Sequence, residues 1–202
     1  MTVRLHFRTL VGGVLHVALC VSLSLAPLGA RADGDETAMT NLIALVSQRL
    51  ALAVPVAQWK WANHKPITDA PREAVLLADV EKRAQAANLD PAFARRFFED
   101  QIDASKEIQT ALFQKWRQSS APAGAAPDLA TTTRPELDRV TRALIPALAR
   151  VAPWRDTPDC QARLAHAVKG WKELTRYGAT GMGALNTALA HVCRAGGPSD
   201  IG

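Results

Sequence analysis

Apolar residues recur at helical spacing through almost the whole chain, and this periodicity limits the fold more than any other feature. Between Asn41 and Arg72, the residues that share one helical face are Leu42, Leu45, Val46, Leu52, Ala53, Val56 and Trp59. No segment of the sequence has the alternation, or the enrichment in Val, Ile and Thr, that is typical of strands. The sequence therefore predicts an all-α fold, a single-domain bundle of about six helices.

Two basic residues, Arg49 and Lys60, lie on this apolar face. They are eleven positions apart, which is close to three helical turns, so both point the same way, roughly 16 Å apart along the axis. Pro55 between them predicts a kink, because proline lacks a backbone N–H. One cation on an apolar face usually reaches water or pairs with a carboxylate. Two in phase favour a binding site for an anion.

The N-terminal segment, residues 1–32, is typical of a secretory signal peptide. Arg4 and Arg8 precede the apolar run VGGVLHVALCVSLSLAPLGA, and Ala30-Arg31-Ala32 is a cleavage pattern. The sequence predicts removal of residues 1–32 and export of residues 33–202, either to the periplasm or as a secreted protein. No later segment is judged apolar enough to span a bilayer, so no membrane partner is expected after cleavage.

Signal cleavage also removes most of the basic charge. Loss of Arg4, Arg8 and Arg31 from the 24 basic residues leaves 21 against 19 acidic residues, a net charge of +2. No basic run is interleaved with aromatic residues, so nucleic acid is not an expected partner.

The cysteines form an even pair once the signal is gone. Cys20 leaves with it, and Cys160 and Cys193 remain in an oxidising compartment, where a disulfide is the default and two free thiols are the alternative. Neither cysteine has neighbours at zinc-ligand spacing, so no metal is expected. The mature histidines are equally scattered: His64, His166 and His191.

Proline, glycine and capping residues divide the exported chain into helices. The predicted ranges are residues 37–40 to 63, 68–69 to 87, 91–118, 133–151 with a kink at Pro146, 157–177, and a sixth helix through Val192. A linker is expected at residues 119–126 and a glycine turn at 178–183, which would fold the last two helices into a hairpin that joins the cysteines. Arg134, in the predicted capping box Thr133–Glu136, opposes the helix macrodipole and favours a nearby anion, although an exposed arginine there costs little.

Other polar residues stand where they can face a site. Ser105 and Gln109 occupy core positions of the long helix; a buried glutamine either satisfies a backbone group or a water, or faces a polar ligand. Asp69, Arg72 and Glu73 crowd one helix start, either as a cap with solvated charges or as part of that site.

Together these residues resemble the all-helical, AroQ-type chorismate mutases, and in particular their secreted gamma subclass. The match covers most of the exported chain. Its elements are Arg49 in SQRL, Lys60 in VAQWKW, Asp69 to Arg72 in PITDAPR, Ser105 and Gln109 in FEDQIDASKEIQ, and the C-terminal Cys160 and Cys193.

The resemblance implies conversion of chorismate to prephenate, a Claisen rearrangement that needs no cofactor and no covalent catalyst. Residues 33–118 would form a catalytic three-helix core, and residues 127–202 the C-terminal helices with the disulfide. A homodimer is implied in which each site lies inside one chain, because Arg134 supplies a cation that shorter relatives borrow from a partner.

The resemblance also implies roles for the charged residues. Arg49 and Arg134 would bind the two carboxylates with support from Arg72, while Lys60 and Gln109 donate to the ether oxygen, where negative charge develops.

Three further residues complete the implied site. Glu73 would accept from the ring hydroxyl, and Asp69 and Ser105 would hold the substrate or its neighbours. Glu73 and Gln109 look more like the cytosolic bacterial enzymes than like secreted members that place a glutamate on the long helix. Lys106 is expected at the rim of the site or exposed.

Two other functions remain open from the sequence. The chain could be a non-enzymatic exported interaction module, in which case Lys60 and Gln109 have no special role. It could also be a chorismate-like anion binder without turnover.

Overall fold

The structure is a computed structural model that describes residues 29–120, 126–175 and 177–198. Within these ranges the regular structure is helical, and the only strand-like feature is an isolated bridge between Cys193 and Gly196. The α-helices are α1 (Gly29–Ala51), α2 (Ala53–Ala62), α3 (Ala70–Ala86), α4 (Pro91–Gln118), α5 (Arg134–Val151), α6 (Cys160–Thr175) and α7 (Ala179–Ala188). The all-α prediction is confirmed.

The N-terminus of α1 lies further upstream than predicted. Most of the predicted signal peptide, residues 1–28, falls outside the described residues, as do linker residues 121–125. Helix α1 begins at Gly29 rather than at residues 37–40, and the predicted cleavage site lies in its first turns. No proline occurs between Pro27 and Pro55, and the alanines of this segment favour helix, so nothing local stops it sooner.

The predicted first helix is in fact two helices, α1 and α2, that meet at Leu52. Pro55 has no N–H to donate to the carbonyl of Ala51, and just before it a hydrogen bond spans three residues in place of the usual four. The Leu52 N–H donates to the Arg49 carbonyl only three residues back, at 3.2 Å. The predicted kink is confirmed, and it falls one turn before the proline.

Helices α3 and α4 begin as predicted. Asp69 accepts the N–H of Arg72 at 3.2 Å, and Asp90 accepts the N–H of Ala92 at 3.0 Å. A proline follows in the first turn of each helix, where its missing N–H is not needed. These caps fix where both helices enter the bundle.

The start of α5 differs from the predicted capping box. Thr133 makes no side-chain cap hydrogen bond. Asp128 instead accepts two backbone N–H groups, at 2.7 and 3.1 Å, and opens a π-helical turn, Leu129–Thr133, that leads directly into α5. Aspartate is the stronger cap. Arg134 therefore does not lie at a bare helix N-terminus, and its conflict with the macrodipole is smaller than predicted.

The predicted glycine turn is wrong, because most of that segment is helical. Gly178 is the extended N-cap, and α7 begins at Ala179 and includes Gly181. Leu185, further along the helix, is fully buried, and this packing outweighs the low helix propensity of glycine. Helix α7 also ends at Ala188, before the predicted Val192.

Helices α6 and α7 do not form the predicted hairpin. Helix α6 packs mainly against α1, whereas α7 packs mainly against α4. The disulfide between Cys160 and Cys193 is present, with the Cα atoms 5.9 Å apart. Cys193 lies beyond α7, so the bond ties the start of α6 to the segment after α7. Gln161 Nε2 reinforces this link by donating to the carbonyl of Ala195 at 3.0 Å.

Helix α1 is the central element of the core, and it packs against α5 and α6, while α4 packs against α2, α3 and α7. Fully buried side chains, among them Phe97, Phe98 and Leu144, fill the space between these helices. The two phenylalanine rings meet edge to face with centroids 5.3 Å apart. This arrangement leaves a cavity where α1 to α5 converge.

One helical stretch among the described residues, Glu36–Ala62, is long and apolar enough to cross a bilayer by length and composition alone. The expectation that no segment after the signal has this property is therefore wrong. A core helix passes the same test, and here Leu42, Ile43 and Val46 are fully buried between helices.

Candidate active site

A cavity of about 130 Å³ lies between α1, α2, α3, α4 and α5. Apolar side chains such as Leu52, Val56 and Ile102 form part of its wall. All of the residues that the sequence proposed for substrate binding and catalysis also line it: Arg49, Lys60, Asp69, Arg72, Glu73, Ser105, Gln109 and Arg134. The bundle thus brings four helix segments and the start of α5 to one place.

Arg49 is a buried cation that pairs with no carboxylate in the described part of the chain. The residue is 7% exposed, its Nη1 donates to the carbonyl of Gln101 at 3.2 Å, and its Nε has no partner among the described residues. Burial lowers the pKa of the guanidinium to about 10, which still leaves it charged at neutral pH. A buried charge with an unpaired N–H donor is costly unless a bound anion neutralises the charge and accepts the hydrogen bond.

Lys60 reaches the cavity from α2. Its ammonium donates to the carbonyl of Ile67, in the connection to α3. Burial lowers the Lys60 pKa, the negative charges of Asp69 and Glu73 raise it, and the positive charge of Lys106 lowers it. No ion pair joins Lys60 to a described carboxylate, so its charge is available to a ligand.

The first turn of α3 holds three of the predicted residues. Asp69 caps the helix through the Arg72 N–H, and its own N–H donates to Glu73 Oε1 at 3.1 Å. The Arg72 guanidinium turns to Asp138 on α5, with Nη2 3.4 Å from Oδ1. Asp69 is therefore the cap that its position predicted, and it contacts both Arg72 and Glu73.

Arg134 extends over the cavity from the first turn of α5. It is half-buried, and no ion pair or hydrogen bond joins its side chain to another residue in the described part of the chain. Leu129, in the π-helical turn before it, forms the neighbouring wall. Arg134 is thus a second guanidinium without a carboxylate partner.

Ser105 and Gln109 lie one turn apart on α4. Gln109 is 3% exposed, and its Nε2 lies 3.1 Å from Ser105 Oγ and 3.2 Å from the Ser105 carbonyl. Its Oε1 is buried without a partner among the described residues. Ser105 therefore holds the Gln109 amide group, which agrees with the interpretation that the buried glutamine satisfies a backbone group. In the described part of the chain, Oε1 is the amide atom left without a partner.

The charges on the cavity wall do not cancel. Five cations face three carboxylates, an excess of two positive charges. The cations are Arg49, Lys60, Arg72, Lys106 and Arg134, and the carboxylates are Asp69, Glu73 and Asp138. Such a cavity attracts an anion with two negative charges.

Sequence reasoning missed two wall residues, Asp138 and Leu129, and one contact of a third. Lys106, expected at the rim or exposed, is half-buried on the cavity wall, and its ion pair with Glu73, Nζ to Oε2 2.8 Å, was not predicted. Asp138 stands one turn after Arg134 on the same helix face, a spacing that could have identified it. Leu129 had no signal, because it lies between the predicted linker, residues 119–126, and the predicted helix start at Thr133, where no π-helical turn was expected.

The fold and this cavity define a class of protein: an all-helical bundle with a positively charged cavity between its helices, suited to a small dianion. Residues 40–110 match the family model described as chorismate mutase type II. The chain is 31% identical over 183 residues to the secreted chorismate mutase of Mycobacterium tuberculosis, covering 89% of this chain and 92% of that protein. It is 30% identical over 179 residues to the secreted chorismate mutase of Mycolicibacterium smegmatis, covering 88% and 98%. The chain therefore belongs to the chorismate mutase type II family.

Two solved structures agree with this assignment. The crystal structure of chorismate mutase from Burkholderia thailandensis is 66% identical, with a TM-score of 0.76, and the match covers 78% of this chain and 99% of that one. The crystal structure of chorismate mutase from Burkholderia phymatum is 35% identical, with a TM-score of 0.74, and the match covers 79% and 98%.

Proposed function

We propose that this protein is an exported chorismate mutase, an isomerase that converts chorismate to prephenate. The observation that carries the proposal is the excess of two positive charges in one cavity. Chorismate is a dicarboxylate of matching charge. Its rearrangement breaks a C–O bond and forms a C–C bond within one molecule. The protein therefore needs only to hold the reactive conformer and stabilise the charge that develops on the ether oxygen.

Arg49 and Arg134 are the proposed carboxylate ligands. Both guanidiniums lack a carboxylate partner among the described residues, and they approach the cavity from α1 and α5. A guanidinium can bind a carboxylate through two parallel hydrogen bonds, which fixes orientation as well as charge. Arg72, already paired with Asp138, supports the second carboxylate.

Lys60 and Gln109 are the proposed donors to the ether oxygen. The Lys60 ammonium leaves the Ile67 carbonyl or shares its protons with the substrate, since it carries three donors. Gln109 donates after its amide turns, which brings Nε2 to the cavity and gives up its hydrogen bond to the Ser105 carbonyl. The Ser105 hydroxyl then donates to Oε1, which moves away from that carbonyl because both oxygens are acceptors.

Glu73 is the proposed acceptor for the ring hydroxyl. Each carboxylate oxygen has two lone-pair sites. Those of Glu73 already accept from the Asp69 N–H and from Lys106, so one site on each oxygen stays free for a substrate. Asp69 acts through Glu73 and Arg72 rather than on the substrate.

The catalytic unit in this proposal is α1 to α4 together with Arg134 of α5, while α6, α7 and the disulfide brace it.

The predicted signal peptide and the secreted relatives support export to the periplasm or beyond. Each site is complete within one chain, and we propose a homodimer of such chains with no lasting membrane attachment. Analytical ultracentrifugation of the exported domain tests the homodimer.

The proposed function is tested with purified residues 33–202 and chorismate, by following the loss of chorismate absorbance. Turnover well above the uncatalysed rate, with prephenate as product, supports the proposal. Binding of chorismate in a calorimeter without turnover identifies an anion binder instead. If the protein shows neither binding nor turnover, the non-enzymatic interaction module is the function that remains.

A further inference from the structure

Lys106 is a fifth cation on the cavity wall that the proposed mechanism leaves without a task. It stands next to Ser105 on α4, and its ammonium lies 2.8 Å from Glu73 Oε2 on α3. The two side chains are 28% and 23% exposed, against 46% and 49% for Arg72 and Asp138. A pair this sheltered is less screened by water than an ordinary surface ion pair.

Both oxygens of Glu73 are held from the protein side. Oε1 accepts from the Asp69 N–H at 3.1 Å, and Oε2 accepts from Lys106. The first contact is with main chain and is fixed by the helix cap. The second contact comes from a side chain, and together with the first it fixes the rotation of the carboxylate.

Glu73 also has a competing partner. Its charge raises the pKa of Lys60, and the charge of Lys106 lowers it, which places all three charges within mutual influence. Lys60 nevertheless donates to the Ile67 carbonyl and not to Glu73. Lys60 is the other lysine on the cavity wall. Without Lys106, an ion pair between Glu73 and Lys60 would neutralise the charge proposed to meet the ether oxygen.

We infer that Lys106 is a positioning residue: it holds Glu73 in place as a hydroxyl acceptor and keeps it from pairing with Lys60. This inference rests on the proposed chorismate mutase function. It makes Lys106 act through Glu73, with no contact of its own to the substrate.

A double-mutant cycle tests this assignment, with kcat and KM for chorismate measured in each variant. Lys106→Met removes the charge and keeps the length of the side chain, and we expect about a tenfold loss of kcat/KM, within the range of contact-pair couplings. In a Glu73→Gln background the same substitution should change kcat/KM by less than about twofold. Lys106→Arg should restore most of the loss.

Lys115→Met is the matched control, because Lys115 is exposed on the same helix and lies outside the cavity wall. It should leave both constants unchanged, and circular dichroism should show all variants folded. An equal loss from Lys106→Met with and without Glu73 would mean that Lys106 binds substrate directly. No loss in either background would make it a solvated charge. Either result overturns the inference while wild-type turnover still supports the function. If the wild-type protein shows no turnover, both the proposed function and the inference about Lys106 are wrong.

Discussion

Arg49 on α1 donates from Nη1 to the main-chain carbonyl of Gln101 on α4, at 3.2 Å. The side chain of Gln101 is itself fully buried and donates to the carbonyl of Ala188 at the end of α7, at 2.7 Å. A single residue of α4 thus orients the buried guanidinium and ties α4 to the C-terminal helix. Another donor of the same guanidinium, Nε, is buried without a partner among the described residues.

Arg49→Ala should raise KM for chorismate by at least about tenfold, because the carboxylate that it holds is already charged in the ground state. The folded state should not suffer, since the variant removes a desolvated charge that has no ion-pair partner. Steady-state kinetics and urea unfolding measure the two effects. An unchanged KM would show that Arg49 does not bind the substrate.

Lys60→Met should lower kcat by roughly 10² to 10³-fold and change KM much less, because the ammonium meets charge that exists only in the transition state. The matched control is Lys65→Met, an exposed lysine on the following connection, which should keep wild-type kinetics. Retention of more than half of the wild-type kcat by Lys60→Met would contradict its role.

The sequence predicted the positions of the cations better than the contacts that other helices make with them. Arg49 and Lys60 were identified because both the helical period and the Pro55 kink are local properties of one segment. The Asp69 cap and the Ser105–Gln109 pair were equally local, each within one turn. Such features depend on the chain a few residues away, and short-range rules describe them well.

Three of the failures involve tertiary packing. The ion pair of Lys106 was not predicted, because α4 alone does not show that Glu73 of α3 comes to meet it. The helical Gly181 was read as a turn because the burial of Leu185 against another helix is invisible locally. The hairpin of α6 and α7 failed for the same reason, since each helix finds a different partner.

The pH dependence of kcat/KM should follow the Lys60 ammonium. Its pKa in the free protein is lowered by burial, so it loses its proton at a lower pH than an ordinary lysine, with a pKa of about 10.4. We expect kcat/KM to stay nearly constant from about pH 5 to 8 and to fall at higher pH, because this ratio reports the free enzyme. Arg49, with a pKa of about 10, adds to the alkaline fall.

Lys60→Arg separates these two contributions, because an arginine at position 60 keeps its proton to higher pH than a lysine does. If the variant is active, its profile should fall only where Arg49 titrates. A wild-type profile with a maximum between an acidic and a neutral limb would indicate an essential acid and base, which the proposed rearrangement does not use.

Reduction of the Cys160–Cys193 disulfide should lower stability and spare catalysis. Neither cysteine lines the cavity, and the bond closes a loop between positions 33 residues apart. In the chain-entropy model such a loop stabilises by about 3 to 4 kcal/mol. The double variant Cys160→Ser, Cys193→Ser should show this loss in urea unfolding, with kcat close to wild type. A folded variant without activity would contradict a purely structural role.

Gln109→Glu provides the sharpest test of the donor at the ether oxygen. Glutamine donates at every pH, whereas a glutamate donates only when protonated. The variant should therefore keep activity towards acid pH and lose it as the pH rises through the carboxyl pKa, which is about 4.3 before any effect of the site. Burial would raise that pKa and the nearby Lys60 charge would lower it. The pH at which half of the activity is lost therefore shows which of the two effects is larger. Gln114→Glu, on an exposed position of α4, is the control and should keep the wild-type profile. Loss of wild-type kcat/KM between pH 5 and 8 would instead place a protonated carboxylic acid at the ether oxygen and remove Gln109 from its role.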